Sequence, residues 1–519
     1  MDKITYATLS SLGEAFHKEF DLGLRQVRQK LGAKHPLFIN GQAKKAKAGT
    51  FADLCPADTR IVLGHFQIGG REEARLAIAA AKEAFTDWRA MGWQSRVAYM
   101  RKAAEVMRER QVRLAALLSL ETGKNRFEAM AEVAESIDLL LYYARQMELH
   151  HGYEYALGGV GTEHTRSVLK PYGVWAVVSP FNFPLALATG MACGALLGGN
   201  TVVFKPASDA PWAGLSLYEV FHEAGLPIGV FNFLTGPGGT VGEELVSSPD
   251  VDGFIFTGSR VVGRALMRRF SETTLKPCIA EMGGKNATLV MPSADLDEAT
   301  EGVLRSAFGM GGEKCSACSR VYVHKQISKP FLDLLVAKTQ ALKIGDPLLP
   351  ETFLGPLINE AAVKTYQQAV KTGRKDGRLL CGGRVLNEGG FAHGHFVEPA
   401  IFDQVARNSR LFQEELFVPV LAVAEVSSLD EAITLANASE YGLTAGIFTQ
   451  HDNEKEEFFT RIQAGVTYCN RRGGATTGAW PGVQSFGGWK NSGSTGKNAL
   501  GPYYVAQFMR EQSQTRIQR

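Results

Sequence analysis

The run Gly311-Gly312-Glu313-Lys314-Cys315-Ser316-Ala317-Cys318 sets a cysteine on a glycine-rich approach, and upstream of it stands Glu281-Met282-Gly283-Gly284-Lys285-Asn286. A thiol attacks carbon as the thiolate, so a nucleophilic cysteine needs a nearby base or surroundings that lower its pKa, and glycines beside it let a substrate carbon come close. Cys315 and Glu281 therefore read as a thiol nucleophile and its carboxylate base. Taken singly, each has a plainer reading. A cysteine in a Gly-rich turn packs as a small hydrophobe, and a glutamate between a strand and Gly-Gly is a solvated turn residue. A third polar group, Asn182 in Ser179-Pro180-Phe181-Asn182-Phe183-Pro184, follows a β-rich run and stands at a strand's carboxyl end, where ligands bind in open α/β sheets. Its amide is suited to donate to an oxyanion, or to cap the Pro-flanked turn.

Other strand ends and helix starts have the character of phosphate sites. Lys205 ends a run of Thr201-Val202-Val203-Phe204; Thr257-Gly258-Ser259 leads into a helical stretch, as does Gly236-Pro237-Gly238-Gly239-Thr240. Helix N-termini offer backbone N–H groups and a positive dipole end to phosphates, so a dinucleotide is the natural ligand. Gly236-x-Gly238-x-x-x-Gly242 is a loose dinucleotide fingerprint that turn chemistry alone also produces.

The elements that must hold these groups follow from periodicity. An amphipathic helix is predicted from about 13 to 31, with Phe16, Phe20, Leu24 and Val27 on one side, and three long helices over 73–89, 96–124 and 127–149. From 168 onward short β-rich runs (174–179, 201–205, 230–234, 253–257) alternate with helical stretches (185–196, 212–224, 240–247, 261–270), the pattern of βαβ units on a parallel sheet. A second series runs from 287 to 470, with strands near 287–291, 320–324 and 420–425 and helices near 296–309, 328–343, 359–375 and 429–437. The tail from Gly473 through Gly501 reads as loop before a last strand near Tyr503–Phe508.

A chain of 519 residues exceeds what one core usually supports, which predicts two or more domains. With 56 Lys and Arg against 53 Asp and Glu, a net charge of +3 gives no case for a nucleic-acid partner. Seven scattered cysteines argue against a disulfide scaffold and for a reducing compartment. The opening Met1-Asp2-Lys3 shows no secretory or transit character, and the longest apolar stretch, Leu185 to Phe204, is broken by glycines; a cytoplasmic protein without a membrane segment is expected. Cys315-x-x-Cys318 also admits a redox dithiol, or half of a zinc site with His393 and His395, but the spacing to other ligands is wrong and no metal is expected; Cys318 reads best as a buried neighbour. Tyr142, Tyr143, Tyr153 and Tyr155 read as core or interface.

In order along the chain stand Pro180-Phe181-Asn182-Phe183-Pro184, Lys205-Pro206-Ala207, Phe256-Thr257-Gly258-Ser259, Glu281-Met282-Gly283-Gly284-Lys285-Asn286, the Cys315 segment, Glu414-Glu415-Leu416-Phe417 and Phe486-Gly487-Gly488. From about 35 to 510 the chain resembles the NAD(P)-dependent aldehyde dehydrogenase family. The resemblance implies an α/β fold: a Rossmann-type cofactor domain, an α/β catalytic domain and a small β oligomerisation arm. The implied boundaries are N-terminal helices and part of the dinucleotide-binding domain over 1–149, an oligomerisation hairpin over 150–170, the dinucleotide-binding domain over 171–280, the catalytic domain over 281–472, and a substrate loop and oligomerisation tail over 473–519.

It implies that Cys315 forms a thiohemiacetal with an aldehyde, that Asn182 and the Cys315 N–H hold the oxyanion, and that Glu281 activates the water that hydrolyses the thioester. Lys205 and Glu415 resemble ribose-binding residues, Phe417 a nicotinamide-ribose neighbour and Ser259 a pyrophosphate contact. Ser179, Pro180, Phe181, Ser208, Gly236, Gly238, Thr257, Gly258 and Met282 complete the implied cofactor surface. Glu313 stands where the family commonly has Gln, and Val418 where Gly usually follows Glu-Glu-x-Phe. Ser208 takes the place of a Glu that pairs with the adenosine ribose in many NAD-specific members, so NAD is expected with NADP left open.

Within the family, Arg305 through Arg320 is most similar to the glutamate γ-semialdehyde (Δ1-pyrroline-5-carboxylate) dehydrogenases of proline catabolism. There a loop like Thr477-Gly478-Ala479-Trp480-Pro481-Gly482-Val483-Gln484 binds the amino-acid end of the substrate through backbone N–H groups, with a residue like Ser316 beside it. Gly478, Ala479 and Ser316 are thus the implied substrate residues. Trp480-Pro481 is bulkier than the aliphatic pair expected there, which admits a second reading, an aldehyde dehydrogenase whose Trp480 shapes a more apolar pocket for another aldehyde. A third reading, a non-catalytic dinucleotide-binding scaffold, leaves intact Cys315, Glu281 and Asn182 without a purpose. A homodimer or dimer-based oligomer is expected from segments near 150–170 and 490–512.

Overall fold

The computed structural model describes residues 13–272 and 274–517, so the expectation about targeting at the first residues lies outside what is described. Strands Val174–Val178 and Thr201–Lys205 are buried almost throughout, as strands covered on both faces must be. They belong to a seven-stranded sheet ordered Cys278–Glu281, Gly253–Thr257, Val174–Val178, Thr201–Lys205, Phe231–Phe233, Leu37–Ile39, Gln42–Lys44. The first five are parallel, and the last two add antiparallel at the edge. The connections leaving Val174–Val178 and Gly253–Thr257 therefore diverge to opposite sides. This makes a topological switch point, where a crevice opens at the strands' carboxyl ends.

A second seven-stranded sheet runs Arg378–Cys381, Ala400–Asp403, Val420–Val426, Cys318–His324, Asn286–Val290, Thr444–Phe448, Val466–Cys469, parallel except at the Arg378–Cys381 edge. Only Met282 to Lys285 separate the last strand of the first sheet from Asn286, which opens a strand of the second. The carboxyl edge of one sheet thus meets the amino edge of the other, and Glu281 and Cys315 lie at that junction.

Three expectations are corrected. The stretch 96–124 is two helices, Trp93–Glu109 and Gln111–Thr122, broken at Arg110 (φ −103°, ψ 7°). Residues 240–247 hold a π-turn over Gly238–Gly242 before a short helix, Glu243–Ser247. The last strand is not Tyr503–Phe508: Val505–Phe508 is a buried 3₁₀ turn, and the strand is Met509–Ile517, which pairs residue for residue with Glu163–Pro171, with Glu154–Ala156 on its other side. This three-stranded arm is largely exposed.

Candidate active site

The loop before Cys315 is built by backbone sterics. After helix Leu296–Phe308 the chain passes Met310, Gly311 and Gly312 with positive φ, a turn that glycine enters without cost. A Cβ on Gly312 would sit 2.7 Å from the Val418 carbonyl oxygen. Cys315 is partly exposed. Its carbonyl accepts from the Asn286 amide at 2.8 Å, which also donates to the Ala317 carbonyl at 2.9 Å, while the Asn286 side-chain oxygen accepts the Thr444 N–H at 3.0 Å. The paired glycines have separate causes: a Cβ on Gly284 would lie 2.5 Å from the Cys315 oxygen, and one on Gly283 would overlap the Glu415 carboxylate at 1.7 Å.

Electrostatics at the junction differ from the sequence expectation. Burial, and then the charges of Glu281 and Glu415, raise the Cys315 pKa. The site holds the thiol neutral rather than lowering its pKa, so its proton must be taken by an acceptor. Burial pushes Glu281 up to about 8, a value suited to gaining and losing a proton near neutral pH. Glu281 lies close enough to Cys315 for its charge to raise the thiol's pKa.

Asn182 is held through both its side chain and its backbone carbonyl. Its Nδ2 donates to the Glu313 carbonyl at 3.0 Å, bringing the strand-end loop onto the nucleophile loop. A primary amide carries two protons, so the second remains for a ligand oxygen. The Asn182 carbonyl accepts from the Lys124 ammonium, which pairs with Glu132; both side chains are fully buried. Glu132 in turn accepts the N–H groups of Leu185 (2.9 Å) and Ala186 (3.2 Å) at the start of helix Ala186–Leu197. Sequence reasoning missed Lys124 and Glu132. The available signal was that Glu132 falls on the same helical stripe as buried Ala129, Ser136, Leu140 and Tyr143. Glu313 is also buried, accepts the Ile358 N–H at 3.2 Å, and has its pKa driven far upward by burial. Burial thus favours its neutral, protonated form.

Several of the residues expected at the cofactor stand at the carboxyl ends of the two switch-point strands. Ser179, Pro180 and Phe181 follow one; Thr257 ends the other, with Gly258 and Ser259 after it. Ser259 is exposed and caps helix Arg260–Phe270 through the Val262 N–H at 3.3 Å. Gly236 (φ +147°) lets the chain pass Gly69, whose oxygen would be 2.5 Å from a Cβ, while a Cβ on Gly238 would meet only open space. Lys205 is buried with the Pro206 carbonyl (3.1 Å) as its partner, and desolvation brings its pKa down to about 8. Ser208 is exposed beyond it. Met282 packs against Gly263. Glu415 receives the Gly284 N–H at 3.0 Å, and burial raises it to about 7. Phe417 (φ +58°) packs edge-on against Phe181 at 5.9 Å. An exposed helix N-terminus, an open glycine turn, and the buried Lys205 and half-buried Glu415 heads fit a dinucleotide's diphosphate and ribose hydroxyls.

A cavity of about 760 Å³ opens over Ser316 and Gly478, with Phe183, Lys314, Glu128 and Arg471 also on its walls. Lys314 and Glu128 pair at 3.5 Å. Another cleft, of about 930 Å³, lies between Ser328–Gln340 and Arg378–Arg407, and Cys315 is not on its walls. Ala479 is buried behind Gly478. Trp480 corrects the alternative sequence reading: it is 2% exposed, its indole N–H donates to Asp138 at 2.7 Å, and it does not line the cavity. It anchors the loop and does not shape the pocket.

Residues 43–513 match the Aldehyde dehydrogenase family. The chain is 38% identical over 517 residues to 1-pyrroline-5-carboxylate dehydrogenase of Bacillus subtilis (strain 168), covering 98% of each. It is 39% identical over 502 residues to 1-pyrroline-5-carboxylate dehydrogenase 1 of Halalkalibacterium halodurans, covering 96% of this chain and 95% of the other. The fold superposes on the crystal structure of 1-pyrroline-5-carboxylate dehydrogenase from Thermus with bound NAD, with a TM-score of 0.93 and 36% identity over 98% of each chain.

Proposed function

The chain belongs to the aldehyde dehydrogenase family, and from that premise we propose that it oxidises L-glutamate γ-semialdehyde to L-glutamate with NAD. The carrying observation is the junction where Glu281, Asn182 and Cys315, from three separate segments, converge on one crevice.

The Cys315 thiol gives its proton to the Glu281 carboxylate, which passes it to solvent, and its sulfur adds to the aldehyde carbon, breaking the carbonyl π bond. The free Asn182 amide proton and the Cys315 N–H receive the resulting oxyanion. Bound NAD supplies the acceptor for the hydride that leaves this carbon. Lys205 and Glu415 hold ribose hydroxyls, Ser259 and the turn at Gly236 and Gly238 the diphosphate, and Phe417 packs on the nicotinamide side, with Ser179, Pro180, Phe181, Ser208, Thr257, Gly258 and Met282 lining the crevice. Glu281 then takes a proton from water, whose oxygen attacks the thioester; the C–S bond breaks, the thiol is restored and the acid departs. Ser316 and the N–H groups of Gly478 and Ala479 receive the carboxylate end of the substrate.

The chain divides by this reading at 149, 170, 280 and 472, with 1–149 feeding the cofactor domain and 473–519 supplying substrate loop and tail. The arm pairs with a second copy to give a cytoplasmic homodimer or a dimer-based oligomer, since its exposed strand edges are ready for a partner. Light scattering at micromolar concentration should give at least twice the chain mass; a monomer refutes the dimer. Initial-rate NADH formation over a panel of aldehydes tests the substrate. Faster turnover of simple aliphatic or aromatic aldehydes would replace it, and full activity of Cys315→Ala would overturn the mechanism.

A further inference from the structure

Cys469 ends the last strand of the second sheet, and Arg471, two residues on, folds over the Tyr468 ring with its guanidinium carbon 4.9 Å from the ring centre. From there its two terminal nitrogens donate to the Thr477 carbonyl at 2.6 Å and the Gly478 carbonyl at 2.7 Å. In a trans peptide the carbonyl and the following N–H point in opposite directions. Tying both carbonyls back to Arg471 therefore turns the N–H groups of Gly478 and Ala479 away from it. Gly478, at φ +99°, adopts a backbone that suits glycine, and a Cβ there would sit 2.8 Å from the guanidinium. Among the described residues the Gly478 N–H has no acceptor, and Gly478 lies on the wall of the 760 Å³ cavity. The Tyr468 hydroxyl is likewise buried and has no acceptor for its proton; it lies near the Cys315 thiol, with the Arg471 guanidinium and the Ala479 N–H as the donors nearest its oxygen. Two unsatisfied donors next to a nucleophile are an incomplete anion site, which a carboxylate would complete.

We propose that Arg471 is a positioning residue that sets the polarity of the Thr477–Ala479 loop, and that the Tyr468 hydroxyl joins the Gly478 and Ala479 N–H groups in selecting aldehydes that carry a carboxylate. This inference rests on the substrate reading given above. Arg471 acts through the loop backbone, and its planar fork reaches two carbonyls at once, which a lysine ammonium does less well.

The test compares L-glutamate γ-semialdehyde with propanal, which has no carboxylate, in the full-length protein. Wild-type turnover of the semialdehyde at a lower KM than propanal is the premise; its absence refutes the substrate reading and the proposal with it. Arg471→Ala should raise KM for the semialdehyde at least about 100-fold while changing kcat and the propanal kcat/KM by less than about threefold, and Arg471→Lys should fall between. Tyr468→Phe should raise the same KM about tenfold. Added guanidinium should recover part of the Arg471→Ala loss. Equal losses on both substrates would mark Arg471 as merely structural, and unchanged KM values would remove it from recognition; either result overturns the proposal. Should Arg471→Ala not fold, calorimetric binding of L-glutamate to Arg471→Lys and Tyr468→Phe decides by the same ratios, with wild-type affinity as the refuting result.

Discussion

Replacing Lys124 by Met tests whether a buried ion pair holds the oxyanion group. The ammonium and the Glu132 carboxylate are both removed from water, and breaking such a pair by deleting one partner costs about 3–5 kcal/mol. Glu132 would still receive two backbone N–H groups, at 2.9 and 3.2 Å. Lys124→Met therefore falls near the low end, about 3 kcal/mol. Glu132→Gln strands a buried cation whose remaining partners are the Asn182 carbonyl and the Phe183 ring, with the nitrogen 4.8 Å from the ring centre; it falls near the upper end, about 5 kcal/mol. Independent sites would sum to about 8 kcal/mol, whereas the neutral double variant should cost only about 3. Urea unfolding followed by the fluorescence of Trp88, Trp175 and Trp212 reports the core that contains this pair. Lys124→Met also frees the Asn182 carbonyl, so kcat should fall about 10²-fold with KM nearly unchanged, the size expected for losing one oxyanion donor. Single-variant costs that add to within about 0.5 kcal/mol, or an unchanged kcat in Lys124→Met, would refute the positioning role.

With Glu281 near 8, the deprotonated base grows as pH rises, so steady-state kcat should be half-maximal near pH 8 and level off about one pH unit higher. Glu281→Gln should lose that limb and also slow the pre-steady-state burst of NADH, measured by stopped flow, because it removes the acceptor for the Cys315 proton. Buried Glu313 keeps its proton while the unfolded chain gives it up, so this residue makes stability fall as pH rises above its ordinary value of 4.5. Glu313→Gln should therefore raise Tm at pH 8 and leave it unchanged at pH 4, with activity retained, as thermal scans at both pH values will show. Gly283→Ala drives a methyl into the Glu415 carboxylate; it should weaken NAD binding at least tenfold by calorimetry while Cys315 stays reactive to alkylation.

Most of the catalytic constellation was legible because each motif serves a local backbone need that glycine or proline announces. Gly283 and Gly284 are glycine because Glu415 and the Cys315 carbonyl lie where a Cβ would be, so the motif marks its own close approaches. The misread elements lack such announcements. Nothing breaks helix propensity at Glu109-Arg110-Gln111; the break comes from packing, where helix Gln111–Thr122 presses so closely on Glu14–Arg28 that a Cβ on Gly23 would lie 2.6 Å from the Val112 oxygen. Tyr504, Val505 and Phe508 look like strand residues because they are buried. The true strand, Met509–Ile517, is polar on both faces, and no alternation distinguishes it from loop. Lys124 and Glu132 were hidden in helical stretches rich in charge, where only burial separates a structural ion pair from a solvated one.

The same distinction explains why the chemistry sits between two sheets. The carboxyl ends of the first sheet supply Asn182, Lys205 and Glu281, set at different strands by a parallel core that has no use for them. The amino edge of the second supplies Cys315, held by Asn286, whose one side chain bonds two carbonyls of the nucleophile loop and the Thr444 N–H of a neighbouring strand. Either core alone presents half a site. The two halves are joined by four residues of backbone, by the Asn182 bond to Glu313 and by the Gly284 bond to Glu415. Cys315 and Asn182 are therefore fixed relative to each other by side-chain bonds to main-chain carbonyls. A substitution that relaxes one of those bonds should lower kcat before it lowers stability, since each core stays packed on its own.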